Sequence, residues 1–521
     1  MFSTIISGAI HGVNSFLTFI EIDMSNGLPC FEMVGMPGSE VREAKERVKI
    51  ALKNTGITIP PSHITINFSP ANIRKEGSAF DLPIAIGILT SMNQIPLEHV
   101  EETLIIGELG LNGEVRAAKG ILPIVMEARK RGIKRVIVPK ENAREGAVIE
   151  GVSIYGVESL SETISLLSLA PAMFDTFLSP CKISLTDLNS SFTKASSLDF
   201  ADINGQESLK RAAQIAAAGF HHFLMVGPPG SGKTMIAKRM PSILPPLSME
   251  ESLEVSTIYS VSGLLNSQVS IITERPFLSP HHTITEQALV GGGIVPHPGV
   301  ISLAHRGLLF LDELTEFKRS SLDILRQPLE DKVIHIARSS GTFIYPANFM
   351  LIGACNPCPC GYYPDHNLCN CTPHDVKRYL GRISGPILDR IDIVIEAPKV
   401  SFQDLTSHGI NESSTSMRDR VMAARERQEF RYRKEPFSFN ADLTSKNVSK
   451  YCHLEDAEEA YMSQIFSTMH LSARSYHRLL KVARTIADID NSEKITEIHL
   501  SEAIWYRMFD EQVNRKEHAF A

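Results

Sequence analysis

The 521-residue chain reads as an α/β phosphate-loop core, preceded by an α+β domain and followed by a helical one. Three observations carry that reading. Gly227-Pro228-Pro229-Gly230-Ser231-Gly232-Lys233-Thr234 follows the apolar strand Phe223–Val226 directly, in the pattern G-x-x-x-x-G-K-[ST]. Leu308-Leu309-Phe310-Leu311 is a second apolar run, and it ends on Asp312-Glu313. Beyond residue 400 the short strand-like runs give way to long segments of helical periodicity.

The elements follow in order. Residues 1–170 form the first domain. Residues 16–23 alternate in part, and Ile64–Phe68 follows a Pro-Pro turn. Ser39 can cap a helix that places Val41, Ala44, Val48 and Leu52 on one face and closes at Gly56. A second helix near Ile121–Arg131 stops at Gly132, before the strand Arg135–Val138. Residues 171–198, with two prolines and many serines and threonines, read as a linker.

The core spans 199–400. A helix over Gly205–Ala218 feeds the strand that carries the phosphate loop, and Pro241–Pro246 closes the helix behind that loop. Residues 277–307, rich in Gly, His and Pro, read as an inserted loop. A helix around Ser320–Asp331 presents Leu322, Leu325 and Leu329 on one face, with Pro328 set to kink or shorten it. Val333–Tyr345 reads as a hairpin turning at Ser339-Ser340-Gly341, and Asn348–Ala354 as a buried strand running into Asn356. The final domain, 401–521, holds the basic helix Ser416–Lys434, an amphipathic helix marked by Leu479, Val482, Ile486 and Ile489, and a last helix over Ile498–Phe509.

Composition bounds the function. A net charge of −7 gives no global electrostatic case for nucleic acid, so any such binding rests on a local basic surface. No Lys or Arg precedes Arg42, which removes the basic start of a secretory signal, and runs such as Leu82–Leu89 are too short to span a bilayer. The expectation is a cytoplasmic protein without a membrane partner. Five of the eight cysteines lie between Cys355 and Cys371. Cys358-x-Cys360 and Cys369-x-Cys371 supply enough thiolates for a closed tetrahedral Zn²⁺ site. Reduced cysteines ordering a proline-rich turn are the alternative. His366 or His374 could replace one thiolate, and Cys355 reads as a small buried residue.

The two opening motifs together predict hydrolysis of a nucleoside triphosphate, with ATP and Mg²⁺ as cofactors. The glycines of residues 227–232 let backbone N–H groups face the phosphates while the next helix presents its positive end. Lys233 would neutralise β- and γ-phosphate oxygens, Thr234 and Asp312 would hold Mg²⁺, and Glu313 would polarise the attacking water.

With Asn356 at a strand end, Asp389-Arg390-Ile391-Asp392 and Arg474, the order of parts resembles an AAA+ ATPase. It is most similar to the magnesium-chelatase-like ComM/YifB family. The runs Ser279-Pro280-His281-His282-Thr283, Ile301-Ser302-Leu303-Ala304-His305, Leu325-Arg326-Gln327-Pro328-Leu329-Glu330, Asn356-Pro357-Cys358-Pro359-Cys360-Gly361 and Gly385-Pro386-Ile387-Leu388-Asp389-Arg390-Ile391-Asp392 carry that resemblance along the chain. It implies roles. Asn356 would be the sensor that orients water beside Glu313. Arg390 would be an arginine finger offered to a neighbouring subunit's nucleotide, with Arg382 a competing candidate, and Arg474 would be the sensor at the start of a lid helix. A finger acting between subunits implies a hexamer.

The resemblance also implies a Lon-protease-type first domain. Lys75-Glu76-Gly77-Ser78 falls at that protease's serine turn, yet Ala79 takes the nucleophile position. Gly120-Ile121-Leu122-Pro123-Ile124 offers no amine where the catalytic lysine belongs, so the domain is expected to be proteolytically inactive. The implied function is a helicase that promotes branch migration of single-stranded or branched DNA during natural transformation, with recombination proteins as further candidate partners. A chelatase-like or chaperone motor acting on a protein is the rival. Candidate DNA elements are the hairpin Ile336–Tyr345 with Arg338, the loop His281–Pro298 and, less favoured than a solvated lid helix, residues 416–434.

Overall fold

The computed structural model describes residues 2–183, 198–265, 269–338, 341–365, 367–399, 411–469 and 471–507. The first sheet has seven strands: β1 (Phe2–His11), β2 (Asn14–Ser25), β3 (Cys30–Val34), β4 (His63–Ser69), β5 (Thr103–Ile105), β6 (Arg135–Pro139) and β7 (Ser153–Val157). Their order is β3-β4-β2-β1-β5-β6-β7. Pairing is antiparallel across β4, β2 and β1 and parallel elsewhere, which gives the mixed sheet of an α+β domain.

Helix α1 (Ser39–Asn54) buries Val41, Ala44, Val48, Ala51 and Leu52, the stripe its spacing predicts. Helix α2 (Asp81–Ser91) is buried all round, so its Asp81 requires a partner. Arg47 supplies one through two bonds, Nε at 2.6 Å and Nη2 at 2.9 Å.

The linker expected over 171–198 is shorter than predicted. Phe174 is fully buried edge-on against Tyr155 at 5.6 Å, and the Cys181 N–H donates to the Ile154 carbonyl at 2.8 Å. Residues 171–183 therefore belong to the first domain. Phe174, Leu178, Cys181 and Ile183 pack on the first-domain cores, scattered apolar residues whose signal composition averages away. Residues 184–197 lie outside the described residues.

The second sheet contains β8 (Phe223–Val226), β9 (Phe277–Leu278), β10 (Leu308–Leu311), β13 (Met350–Cys355) and β14 (Ile393–Glu396), in the order β9-β10-β13-β8-β14 and parallel throughout. Between β10 and β13 the hairpin of β11 (Val333–Arg338) and β12 (Gly341–Pro346) stands apart as its own ribbon. The expected helix over Ser320–Asp331 is two short turns, Arg319–Ile324 and Arg326–Asp331, because Pro328 has no N–H to return to the Ile324 carbonyl.

One face of this sheet shares a core with helices α4 (Glu207–Gly219), α5 (Lys233–Ile243), α7 (Ser414–Tyr432), α8 (Ala473–Ile489) and α9 (Glu497–Trp505), so the carboxy-terminal helices are packed onto the phosphate-loop core. Three of the basic residues of α7 serve that packing. Arg425 stacks on Phe439 at 3.8 Å, Arg431 pairs with Asp488 at 2.5 Å, and Arg427 donates to the Asp488 carbonyl at 2.7 Å. These three cations are turned inward and are not available to a phosphate backbone.

The first domain docks on the core through α3 (Ile121–Lys130), which packs on α6 (Met249–Ser262), and through the hairpin. Buried Glu145 accepts from Ser260 Oγ at 2.5 Å and from the Leu122 N–H at 2.9 Å, while His11 stacks on Phe343 at 4.5 Å.

Candidate active site

Three of the five parallel strands deliver chemistry at their carboxyl ends, where α/β sheets hold ligands. Strand β8 ends at Val226 and passes into the loop 227–232, β10 ends at Leu311 before Asp312-Glu313, and β13 ends at Cys355 before Asn356. The register Val226↔Cys355 and the bond from the Gly227 N–H to the Cys355 carbonyl, 3.1 Å, hold the loop against the strand bearing Asn356. Gly227 lies so close to Ala397 that a Cβ would meet its carbonyl oxygen at 2.5 Å. Gly232 opens α5 at φ +85°, a left-handed turn that L side chains resist.

Lys233 is buried and donates to the Gly227 carbonyl at 2.7 Å, the Pro228 carbonyl at 2.9 Å, Ser231 Oγ at 3.3 Å and Asn356 Oδ1 at 3.4 Å. Burial lowers its pKa from the usual lysine value. Thr234 Oγ1 donates to Asp312 Oδ2 at 2.9 Å. A hydroxyl and a carboxylate side by side are hard oxygen donors that fit Mg²⁺, so Thr234 and Asp312 would hold it and its charge would offset that of the phosphates. Glu313 has its backbone in the left-handed region at φ +51°, uncommon for a residue with a Cβ, and keeps its side chain 60% exposed. The Glu313 carboxylate is thus turned off the strand toward solvent while Asp312 stays on the hydroxyl.

Sequence reasoning missed His282. Its Nδ1 lies 3.6 Å from Glu313 Oε2. The signal was the Ser279-Pro280-His281-His282-Thr283 run, but its relevance depends on β9 lying beside β10, which sheet order alone reveals.

Arg390 and Arg474 come together, though far from the phosphate loop. Both pair with Glu330, Arg474 at 3.3 Å, and Arg390 Nη1 also donates to the Pro386 carbonyl at 2.6 Å. They line a cavity of about 540 Å³ with His222, Asp392, Arg478 and Lys481. His222 and Asp392 immediately precede β8 and β14, so this cavity sits at the amino ends of the strands, about 13 Å from the phosphate loop by the length of a four-residue strand. Arg390 Nε and Arg478 Nη1 are buried without a hydrogen-bond partner among the described residues. Arg382 lies elsewhere, donating to Glu316 at 3.2 Å and to the Thr315 carbonyl at 3.2 Å.

This cavity makes the core sensitive to acid. His222 Nδ1 accepts the Leu351 N–H at 3.1 Å, which requires a neutral ring. Burial, aided by the Arg478 and Lys332 cations against the pull of Asp392, lowers its pKa to about 4. The unfolded chain binds the extra proton first, so this contribution is complete above about pH 6.5 and is lost as pH falls toward 4. Denaturant titration of the protein is expected to show about 1–2 kcal/mol less stability at pH 5 than at pH 7 from this group, and His222→Asn to reduce that difference. An unchanged slope in the variant counts against the assignment.

The cysteines meet as well. Cys358, Cys360, Cys369 and Cys371 place their sulfurs within 4.8 Å of one another, with His374 exposed on the following helix and His366 outside the described residues. In the first domain Lys75 is wholly buried and donates to the carbonyls of Gly35 and Phe68, each at 3.3 Å, and of Pro70. Ser78 donates to the Glu108 carboxylate. A lysine caged by carbonyls is no base for that serine.

Comparison with known proteins places these features. Residues 199–405 match the family described as "Magnesium chelatase, subunit ChlI", residues 20–142 "Subunit ChlI of Mg-chelatase", and residues 411–507 the ChlI C-terminal family. The chain is 42% identical to YifB of Salmonella typhimurium over 505 residues and 40% identical to the competence protein ComM of Haemophilus influenzae over 506, covering 96% of each chain in both cases. Lon protease 2 of Bacillus subtilis is 27% identical over 182 residues, 31% of this chain and 32% of that one.

Proposed function

Because the chain belongs to the magnesium-chelatase-like family of AAA+ ATPases that includes YifB and ComM, we propose that it is a ring-forming motor which couples ATP hydrolysis to movement along single-stranded or branched DNA. One observation carries the assembly. A cationic cavity containing Arg390, Arg474 and Arg478, with two guanidinium N–H groups lacking partners among the described residues, opens at the strand ends opposite the protein's own phosphate loop. Such cations cannot reach their own nucleotide, and a neighbouring subunit's triphosphate is the anion they fit. A homo-hexamer is the closed ring this class of motor uses.

The DNA substrate is supported by near full-length similarity to a competence protein. In this reading the motor is a helicase that promotes branch migration of incoming DNA during natural transformation, working with recombination proteins. Among the described residues no helix is long and apolar enough to cross a membrane, in keeping with a cytoplasmic site of action. The DNA-facing element is the projecting unit made by the hairpin and the loop beside it. Tyr345 OH donates to the Pro296 carbonyl at 2.6 Å and Arg338 Nε to the Gly293 carbonyl at 3.4 Å, leaving Ile294 92% exposed at the tip. The ChlI match favours a second reading, a motor that remodels a protein partner.

ATPase assays on the purified protein separate the two. A DNA motor hydrolyses ATP several-fold faster with single-stranded or forked DNA, and its DNA binding weakens steeply with salt. Equal rates with and without DNA overturn the DNA reading and leave the protein remodeller. A structural Zn²⁺ on Cys358, Cys360, Cys369 and Cys371 completes the proposal, and metal analysis of protein purified without added zinc tests it.

A further inference from the structure

The four cysteines do more than close a turn, because the segment carrying them lies between two parts of the ATPase centre. Cys358 Sγ is 3.3 Å from Cys360 Sγ and 3.8 Å from Cys369 Sγ, and Cys360 Sγ is 3.5 Å from Cys369 Sγ. Four thiolates around one Zn²⁺ at about 2.3 Å stand about 3.8 Å apart, so the observed spacing needs little adjustment to become a closed tetrahedral site. Cys358 is fully buried and its sulfur accepts the Tyr363 N–H at 3.4 Å, the kind of outer hydrogen bond that stabilises a metal-bound thiolate.

Two connections run from this cluster to the site. On one side Cys358 follows Asn356 by two residues, and Gly361 lies directly on the phosphate loop. A Cβ on Gly361 would stand 2.6 Å from Pro229 Cδ and 3.9 Å from Asn356 Cγ. On the other side Cys371 leads into the helix Pro373–Leu380, started by a Thr372/Asp375 capping box. Tyr379 and Leu380 of that helix pack on the buried cysteines, and Arg382, stacked 5.6 Å from the Tyr379 ring, donates to Glu316 just beyond Glu313.

We propose that the Cys358–Cys371 zinc site is a positioning device for ATP hydrolysis: it clamps the Cys358–Gly361 turn against Pro229, and so sets both the phosphate loop and the Asn356 amide. The inference rests on the zinc reading above. Because the metal holds the turn, its removal by a chelator slows the ATPase without touching a residue that meets the nucleotide. Cys358, Cys360, Cys369 and Cys371 are positioning residues, and Asn356, Lys233 and Glu313 act on the substrate.

The test uses the full chain, with zinc content, ATPase rate and affinity for a fluorescent ATP analogue measured together. Cys371→Ser is expected to lose zinc and to lower kcat about 10²-fold, the cost of misplacing reacting groups by about 1 Å. Cys371→His, which supplies a nitrogen ligand in place of the sulfur, should recover both. Gly361→Ala should keep one zinc per chain yet weaken analogue binding at least ten-fold, and it covers the case in which the cysteine variant fails to fold. Absence of zinc from the native protein sinks the metal reading itself. Zinc present, but with kcat and analogue affinity unchanged in folded Cys371→Ser and in Gly361→Ala, overturns the coupling and leaves the metal in place.

Discussion

Glu313→Gln retains ATP binding and loses about 10²–10⁴-fold in hydrolysis, the range expected when a general base is neutralised. The geometry separates the two acidic neighbours. Asp312 accepts from Thr234 Oγ1 at 2.9 Å, on the side proposed for Mg²⁺, whereas Glu313 is turned away by its left-handed backbone, with His282 Nδ1 3.6 Å from its carboxylate. Gln is isosteric and cannot accept a proton, so affinity for a fluorescent ATP analogue should stay within a few-fold of the native value while turnover collapses. Lys233→Ala should behave differently and lose affinity, because the ammonium is the charge that meets the phosphates. If Glu313→Gln hydrolyses ATP at more than a tenth of the native rate, another residue is the base.

Arg390→Ala is expected to lower ATPase turnover about 10³–10⁵-fold, the usual contribution of an arginine finger. The loss should be a property of the ring. Arg390 lies at the amino ends of the strands, so an Arg390→Ala subunit keeps a sound phosphate loop, while a Lys233→Ala subunit keeps a sound arginine. Rings mixed from the two contain some interfaces with both groups intact, and partial activity should return in proportion to those interfaces. Arg474→Ala should weaken the same interface, since both guanidinium groups share Glu330 and hold its carboxyl below the usual carboxylate range. Arg382→Ala is the discriminating control. That side chain sits beside Glu316 in its own subunit, and if it proves the costlier loss in mixed rings, the finger is Arg382.

Much of this was legible before folding because it is contiguous. The phosphate loop, the run into Asp312-Glu313 and the approach to Asn356 are each a strand followed at once by its functional residue. In a parallel sheet that pattern alone sends them to one edge. The stripe of α1 and the paired strands of the hairpin read over Val333–Tyr345 were readable for the same reason, since side-chain period is local; Ser339 and Ser340 of its expected turn lie outside the described residues. The packing of residues 171–183 on the first domain is not legible in composition, because it rests on scattered residues, Phe174, Leu178, Cys181 and Ile183, within a polar stretch. The cations of α7 cannot be interpreted from spacing, because Arg425, Arg427 and Arg431 find partners on segments more than ten to sixty residues away.

Amino-acid order was sufficient to mark the residues on which the proposed chemistry rests: the phosphate loop 227–234, Asp312-Glu313, Asn356 and the four clustered cysteines, each within a short window. Position relative to one another was not encoded there. Chain crossovers and packing place Arg390 and Arg474 at the far end of the sheet from the cradle, fold Lys75 into carbonyls away from Ser78, set His282 beside Glu313 and press the cysteine turn onto Pro229. These arrangements arise from contacts between residues distant in sequence, whose free energy depends on the burial and geometry of the finished core, and no local pattern contains that information.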